Sequence, residues 1–165
     1  MPTLPIPLHS SGARFSECRT WRYLLWRIWD SSLPVCAVVG LNPSTADETR
    51  DDRTVAKCIR FAHKWNYGAL HMLNIHAYRT TYPAELKHMS KTIDVTGPQN
   101  DLWLIKTARS ADIVIAAWGT HGAFLDRGET VRSFLPNLHR LGSLTKDGFP
   151  RHPLYLPGHL TPEPF

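Results

Sequence analysis

Long apolar runs are missing from this chain. None approaches the roughly 20 residues a helix needs to cross a bilayer, and the Pro-rich start lacks the apolar core of a signal peptide. The expectation is a cytoplasmic location with no membrane partner. Cysteine is scarce: Cys18, Cys36 and Cys58 are the only 3 in 165 residues, an odd number without CxxC spacing, so neither a disulfide framework nor a zinc knuckle is indicated. The Gly-Lys-Ser or Gly-Lys-Thr of a phosphate-binding loop is also absent. Acidic residues are outnumbered, 14 against 19 Lys and Arg, which gives a formal charge of +5 beside 9 His. A basic surface favours polyanionic partners and is compatible with plain solubility. The length is that of one domain, and a 42% hydrophobic content with 6 Trp can build a core without staples.

The chain is organised around Val35-Cys36-Ala37-Val38-Val39-Gly40-Leu41-Asn42-Pro43-Ser44-Thr45-Ala46-Asp47. Its apolar start does not alternate, which predicts a strand buried on both faces, as in a parallel sheet covered by helices. Such strands deliver chemistry at their carboxyl ends. Gly40 permits close backbone approach, Pro43 stops the ladder, and Ser44, Thr45 or Asp47 can cap the next helix. A helix is expected from the charged segment Asp47–Thr54 to about Lys64, capped by Asp51, Asp52 or Thr54 and closed by a left-handed Gly68. Asp47, Asp51 and Asp52 have a second possible use, holding a water or a divalent cation.

A second buried strand, Ala69–Ile75, completes a βαβ unit and brings Asn74 to the same sheet edge as Asn42. An amide there either fixes a loop or offers the donor–acceptor pair that reads a nucleobase edge. Residues 84–89 suggest a short helical excursion, and Leu102–Ser110 a helix after the Gly97-Pro98 turn, with Asn100 or Asp101 capping it or lining a site. Asp112–Ala117 predicts a third buried strand ending in Trp118-Gly119, where Trp118 suits a core wall and Gly119 lets the backbone approach a ligand. Beyond it come a helix over about 126–135 and a short strand over 138–144. Pro150 and Pro153 then bracket Arg151 and His152, restricting both and making His152 a candidate electrophile or proton carrier. Upstream, Arg14–Asp30 interleaves basic and aromatic residues and predicts antiparallel strands. There Arg22, Arg27 and Trp26 or Trp29 form either a nucleic-acid contact surface or an ordinary edge with snorkelling Arg. Residues 1–13 are expected to be a loose arm, and 14–165 a single α/β domain.

The words LNPSTAD (41–47), DDRT (51–54), LNIHAYRT (73–80), GPQND (97–101), AAWG (116–119) and GFPRHPLYL (148–156) resemble those of an uncharacterised bacterial and phage family, over most of the chain from Tyr23 onward. A more distant resemblance is to the uracil-DNA glycosylase superfamily. There, parallel strands deliver in chain order a Gly-x-Asp/Asn-Pro turn that positions water, an Asn that reads the base, a Leu-Trp-Gly strand end and a His-Pro loop. Gly40-Leu41-Asn42-Pro43, Leu73-Asn74, Ala117-Trp118-Gly119 and His152-Pro153 stand here in that order.

That resemblance implies a three-layer α/β/α sandwich with a central, mainly parallel sheet of about four strands and N-terminal antiparallel strands. It implies that Asn42 orients a water, Asn74 reads a base and His152 offsets charge on the leaving base. Asp47 is a further candidate on the water. Gly40, Pro43, Ser44, Thr45, Arg79, Asn100, Trp118, Gly119 and Arg151 would contact the substrate, with Arg53, Arg79 or Arg151 offsetting acidic repulsion of phosphates. The expected partner is a nucleic acid or nucleotide, with no cofactor and no obligate protein partner. Two departures stand out: Ser44-Thr45-Ala46-Asp47 after Pro43, and Leu154-Tyr155 where the superfamily commonly has a duplex-gripping Ser-Pro. The expectation is hydrolysis of an N-glycosidic bond. The alternatives are a non-catalytic nucleobase or nucleic-acid binding module and a metal-dependent phosphodiesterase using Asp47, Asp51 and Asp52.

Overall fold

A computed structural model describes residues 6–165. They form one mixed α/β unit with a seven-stranded sheet. Its strands are β1 (Ser10–Phe15), β2 (Arg22–Ile28), β3 (Val35–Gly40), β4 (Ala69–Asn74), β5 (Ile113–Ala116), β6 (Leu138–Leu141) and β7 (Pro162–Pro164). The spatial order is β1-β2-β4-β3-β5-β6-β7. β3 pairs parallel with β4 and β5, and β5 parallel with β6, while β1–β2, β2–β4 and β6–β7 are antiparallel. Part of the expected arm, residues 1–5, lies outside the described residues; Ser10–Ala13, in its remaining part, belong to β1.

Alternation along β3 divides the core. Cys36 and Val38 pack with Val55, Cys58, Ile59, Phe61 and Ala62 of α1 (Arg53–Lys64) on one face. Ala37 and Val39 pack on the other with Leu104 of α3 (Asn100–Ser110) and Val131 of α4 (Arg127–Phe134). Each Val, Ile, Leu or Phe side chain among these contributes roughly 1.5–3 kcal/mol when removed from water, before chain entropy is set against it. A short α2 (Pro83–Met89) sits between β4 and α3, anchored by buried Leu86.

Several local details differ from the sequence expectation. α1 ends through Asn66, whose φ of 65° supplies the left-handed residue expected at Gly68. Gly68 is required for space instead, since a Cβ there would lie 1.8 Å from the Asp30 carbonyl oxygen. α3 begins at Asn100 without a side-chain cap. β7 has no counterpart among the predicted strands because two prolines mask it; as an edge strand on β6 it can spare those amide donors.

Candidate functional site

The carboxyl ends of β3, β4 and β5 open into a cavity of about 860 Å³ on the α1 side of the sheet. Gly40, Asn42, Asn74, Trp118, Gly119 and His152 all line it, although they come from segments more than 100 residues apart. Main-chain bonds hold the two central strand ends together: Ile75 N–H donates to Gly40 O, His76 N–H to Leu41 O and Thr80 N–H to Pro43 O, each at 2.9 Å. Gly40 matters because a Cβ there would fall 2.9 Å from Asn74 Oδ1. Its absence leaves room for the Asn74 amide.

The floor carries two buried donors without partners. Asn74 is 3% exposed and its Nδ2 meets no acceptor; Arg22 is 2% exposed and its Nε likewise meets none. Burial without a bond costs each group roughly 1–3 kcal/mol, a cost shared by His71 Nδ1, both His76 ring nitrogens and Asn100 Oδ1. Arg22 is anchored by Nη1, which donates to Ala46 O at 3.0 Å. Burial pushes its pKa down to about 10, the Asp52 charge opposing that shift, so it stays cationic at neutral pH. Sequence reasoning places Arg22 only on a contact surface. Its position depends on Tyr23, the extra residue where the β1–β2 register shifts from Arg14↔Leu24 to Phe15↔Arg22. A bulge switches the face on which the residues beyond it fall, so Arg22 and Arg27, five apart, both reach the segment 46–51. No periodic pattern reveals that.

His152 and Asn42 form opposite walls in chemistry. His152 Nδ1 accepts from Leu154 N–H at 3.2 Å, so a neutral ring carries its proton on Nε2, which makes no hydrogen bond among the described residues. Burial holds its pKa below 6.5, opposed by the Asp52 charge. Gly119, at φ 70°, donates its N–H to Pro150 O at 2.8 Å and ties this loop to the end of β5. Asn42 Nδ2 donates to Thr80 O at 2.7 Å and to Pro43 O at 3.1 Å, leaving Oδ1 as its free acceptor. Trp118, 2% exposed and edge-on to Phe165 at 5.9 Å, is a wall rather than a stacking platform.

Other candidate residues lie elsewhere or are otherwise engaged. Asp47 does not line the cavity: its Oδ1 accepts from Thr49 and Arg50 N–H groups, which hold its pKa at about 2. Asp51 pairs with Arg27 at 2.8 Å, and Asp52 caps α1 by accepting from Val55 N–H at 2.9 Å. The three carboxylates therefore do not converge, and no group of three or more His, Cys, Asp or Glu among the described residues is placed to hold a metal. Pro43 is buried in the turn and outside the lining. Asn100, fully buried on the other face, donates to Asn74 O at 2.9 Å and Ile75 O at 3.2 Å and so braces β4 from outside the cavity. Ser44 and Thr45 sit between the cavity and a neighbouring pocket that contains Arg79. Arg151 lines the mouth, its Nε donating to Ser143 O at 2.9 Å.

The expected contact surface of β2 is interior except at half-buried Trp26. Arg27 is 1% exposed and donates to Asp51 and to the carbonyls of Gly12, Trp26, Asp47, Glu48 and Arg50. Trp29 is buried and donates to Tyr67 O, while Trp26 donates to Ser10 Oγ.

The fold and cavity define a mixed α/β protein with a crevice at the ends of its parallel strands. Over residues 22–154 the chain matches the family model described as "Protein of unknown function (DUF1643)", and it belongs to that family. No curated protein and no solved structure matches it.

Proposed function

We propose that the cavity binds a nucleobase and that the protein hydrolyses an N-glycosidic bond in a nucleic acid or nucleotide. The observation that carries this reading is the meeting of Asn42, Asn74, Trp118-Gly119 and His152 in one cavity, in the chain order of the uracil-DNA glycosylase superfamily. The parallel run β4-β3-β5-β6, with helices on both faces, supports the same relation at the level of the fold.

The roles rest on the free atoms. Asn74 Nδ2, the unpartnered donor on the floor, meets an acceptor on the base edge. His152 Nε2–H donates to a base oxygen as the glycosidic bond breaks and its electron pair departs with the base nitrogen. A neutral imidazole suffices, because a hydrogen bond in a dry site stabilises the developing anion without full proton transfer. Asn42, with Nδ2 held by two carbonyls, presents Oδ1 to a water. The water oxygen bonds to the anomeric carbon, and its released proton ends through solvent on the base. Asp47 has no part in this scheme, since its carboxylate is spent on its own turn.

The test is base release from single-stranded DNA or RNA carrying uracil, alkylated or hypermodified bases, and from free nucleosides, with and without chelator. Release that survives chelation and is abolished in His152→Ala supports the reading. Binding without release from every substrate would replace it with a non-catalytic nucleobase module, and release that requires a divalent cation would overturn the mechanism.

A further inference from the structure

Tyr155 is 84% exposed, the most open large hydrophobic side chain among the described residues, and it stands at the cavity mouth. It is not loosely held. It closes the one-turn 3₁₀ segment Pro153–Tyr155, capped by His152 and seated on buried Pro153, and its ring centroid lies 5.7 Å from that of His152. One exposed aromatic is ordinary by itself. Its surroundings distinguish it, because Arg53 and Arg151 line the same mouth, both exposed, and neither makes an ion pair among the described residues. The nearby carboxylates are already used, Asp51 on Arg27 and Asp52 on the α1 cap. An open ring at a mouth also lined by two guanidinium groups without ion pairs, that of Arg151 donating to Ser143 O and Leu144 O, has the chemistry of a surface that stacks a base and attracts its phosphates.

The depth of the floor limits the kind of nucleic acid. A base that reaches Asn74 and Arg22, 3% and 2% exposed, must leave any pairing and stacking it had. In a duplex that costs a few kcal/mol, whereas a single strand has little pairing to lose. We propose that the mouth is a path for single-stranded nucleic acid: the nucleotide flanking the one in the cavity stacks on Tyr155, and the adjoining phosphates lie against Arg53 and Arg151. The proposal rests on the base-binding reading above and adds to it a substrate class and a platform.

Fluorescence anisotropy with a short labelled oligothymidylate, alone and annealed to its complement, tests it. The single strand should bind at least roughly tenfold tighter than the duplex, Tyr155→Ala should remove roughly tenfold of that affinity, and Tyr155→Phe should retain it. Arg53→Ala with Arg151→Ala should reduce the slope of log affinity against log salt by about one to two. Equal affinity for duplex, or an unchanged Tyr155→Ala, overturns the proposal. Saturation-transfer NMR with thymidine monophosphate separates the two ideas. If the mononucleotide binds wild type and not Asn74→Ala while Tyr155→Ala leaves oligonucleotide binding intact, the platform fails and the base site stands. If neither probe binds wild type, both fail.

Discussion

Two buried arginines on one strand have opposite surroundings. Around Arg27, all three guanidinium nitrogens donate to the loop 46–51 and its neighbours, and the result is a braced acidic turn that meets the cavity only at Asp51. Around Arg22, one bond to Ala46 O anchors the side chain while Nε is left without an acceptor on the cavity floor, as is Asn74 Nδ2. A satisfied buried charge builds structure. One left incomplete at the wall of a cavity carries a cost that a ligand can offset.

The largest effect expected from this contrast is on stability. Arg27→Met leaves the Asp51 carboxylate and several loop carbonyls without their donor and should cost about 3 kcal/mol, on the order of 10 °C in Tm by scanning fluorimetry. A Tm close to that of wild type would mean that the satisfied arginine is not structural. Arg22→Met should behave in reverse. Removing an incompletely bonded buried charge should leave stability within about 1 kcal/mol of wild type, while nucleobase affinity by calorimetry falls roughly tenfold. Unchanged affinity would show that the orphaned donor faces nothing.

Acidification separates structure from site in another way. Burial holds the His152 pKa below 6.5 and that of His76, fully buried beside Phe124, at about 4. Both groups bind more protons unfolded than folded below pH 6.5. Their contribution to stability is therefore complete above that pH and is lost as the pH falls toward the folded-state values. Tm should decline from pH 6.5 toward 4. Ligand affinity should decline with it in wild type, because a proton on His152 Nδ1 breaks the bond from Leu154 N–H, and His152→Gln should flatten the affinity profile without abolishing the decline in Tm. The smallest effect is expected at Asp47. Asp47→Asn keeps an acceptor for Thr49 and Arg50 and should leave base binding and any base release unchanged, with only a slight drop in Tm. A large loss of turnover at wild-type affinity would return Asp47 to the water.

Much of the element order is legible in the sequence. The apolar runs at 35–39, 69–75 and 113–117 carry no alternation, and Asp52 and Pro83 stand where polar or rigid residues precede helical spacing. Asn42, Asn74, Gly119 and His152 are legible as strand-end and loop residues of special type. Arg22 is hidden by the bulge at Tyr23, and β7 by Pro162 and Pro164. The Asp47 carboxylate and the Asn100 amide nitrogen are engaged by main-chain partners, which composition does not distinguish from groups left free.

Strands and helices were dictated locally, since burial on two faces, helical spacing and proline brackets are properties of short stretches of chain. Folding alone settles which polar side chains the protein completes and which it leaves without a partner. Hydrogen-bond satisfaction depends on partners dozens of residues away, as when Thr80 takes one half of Asn42 and Asp51 takes one edge of Arg27.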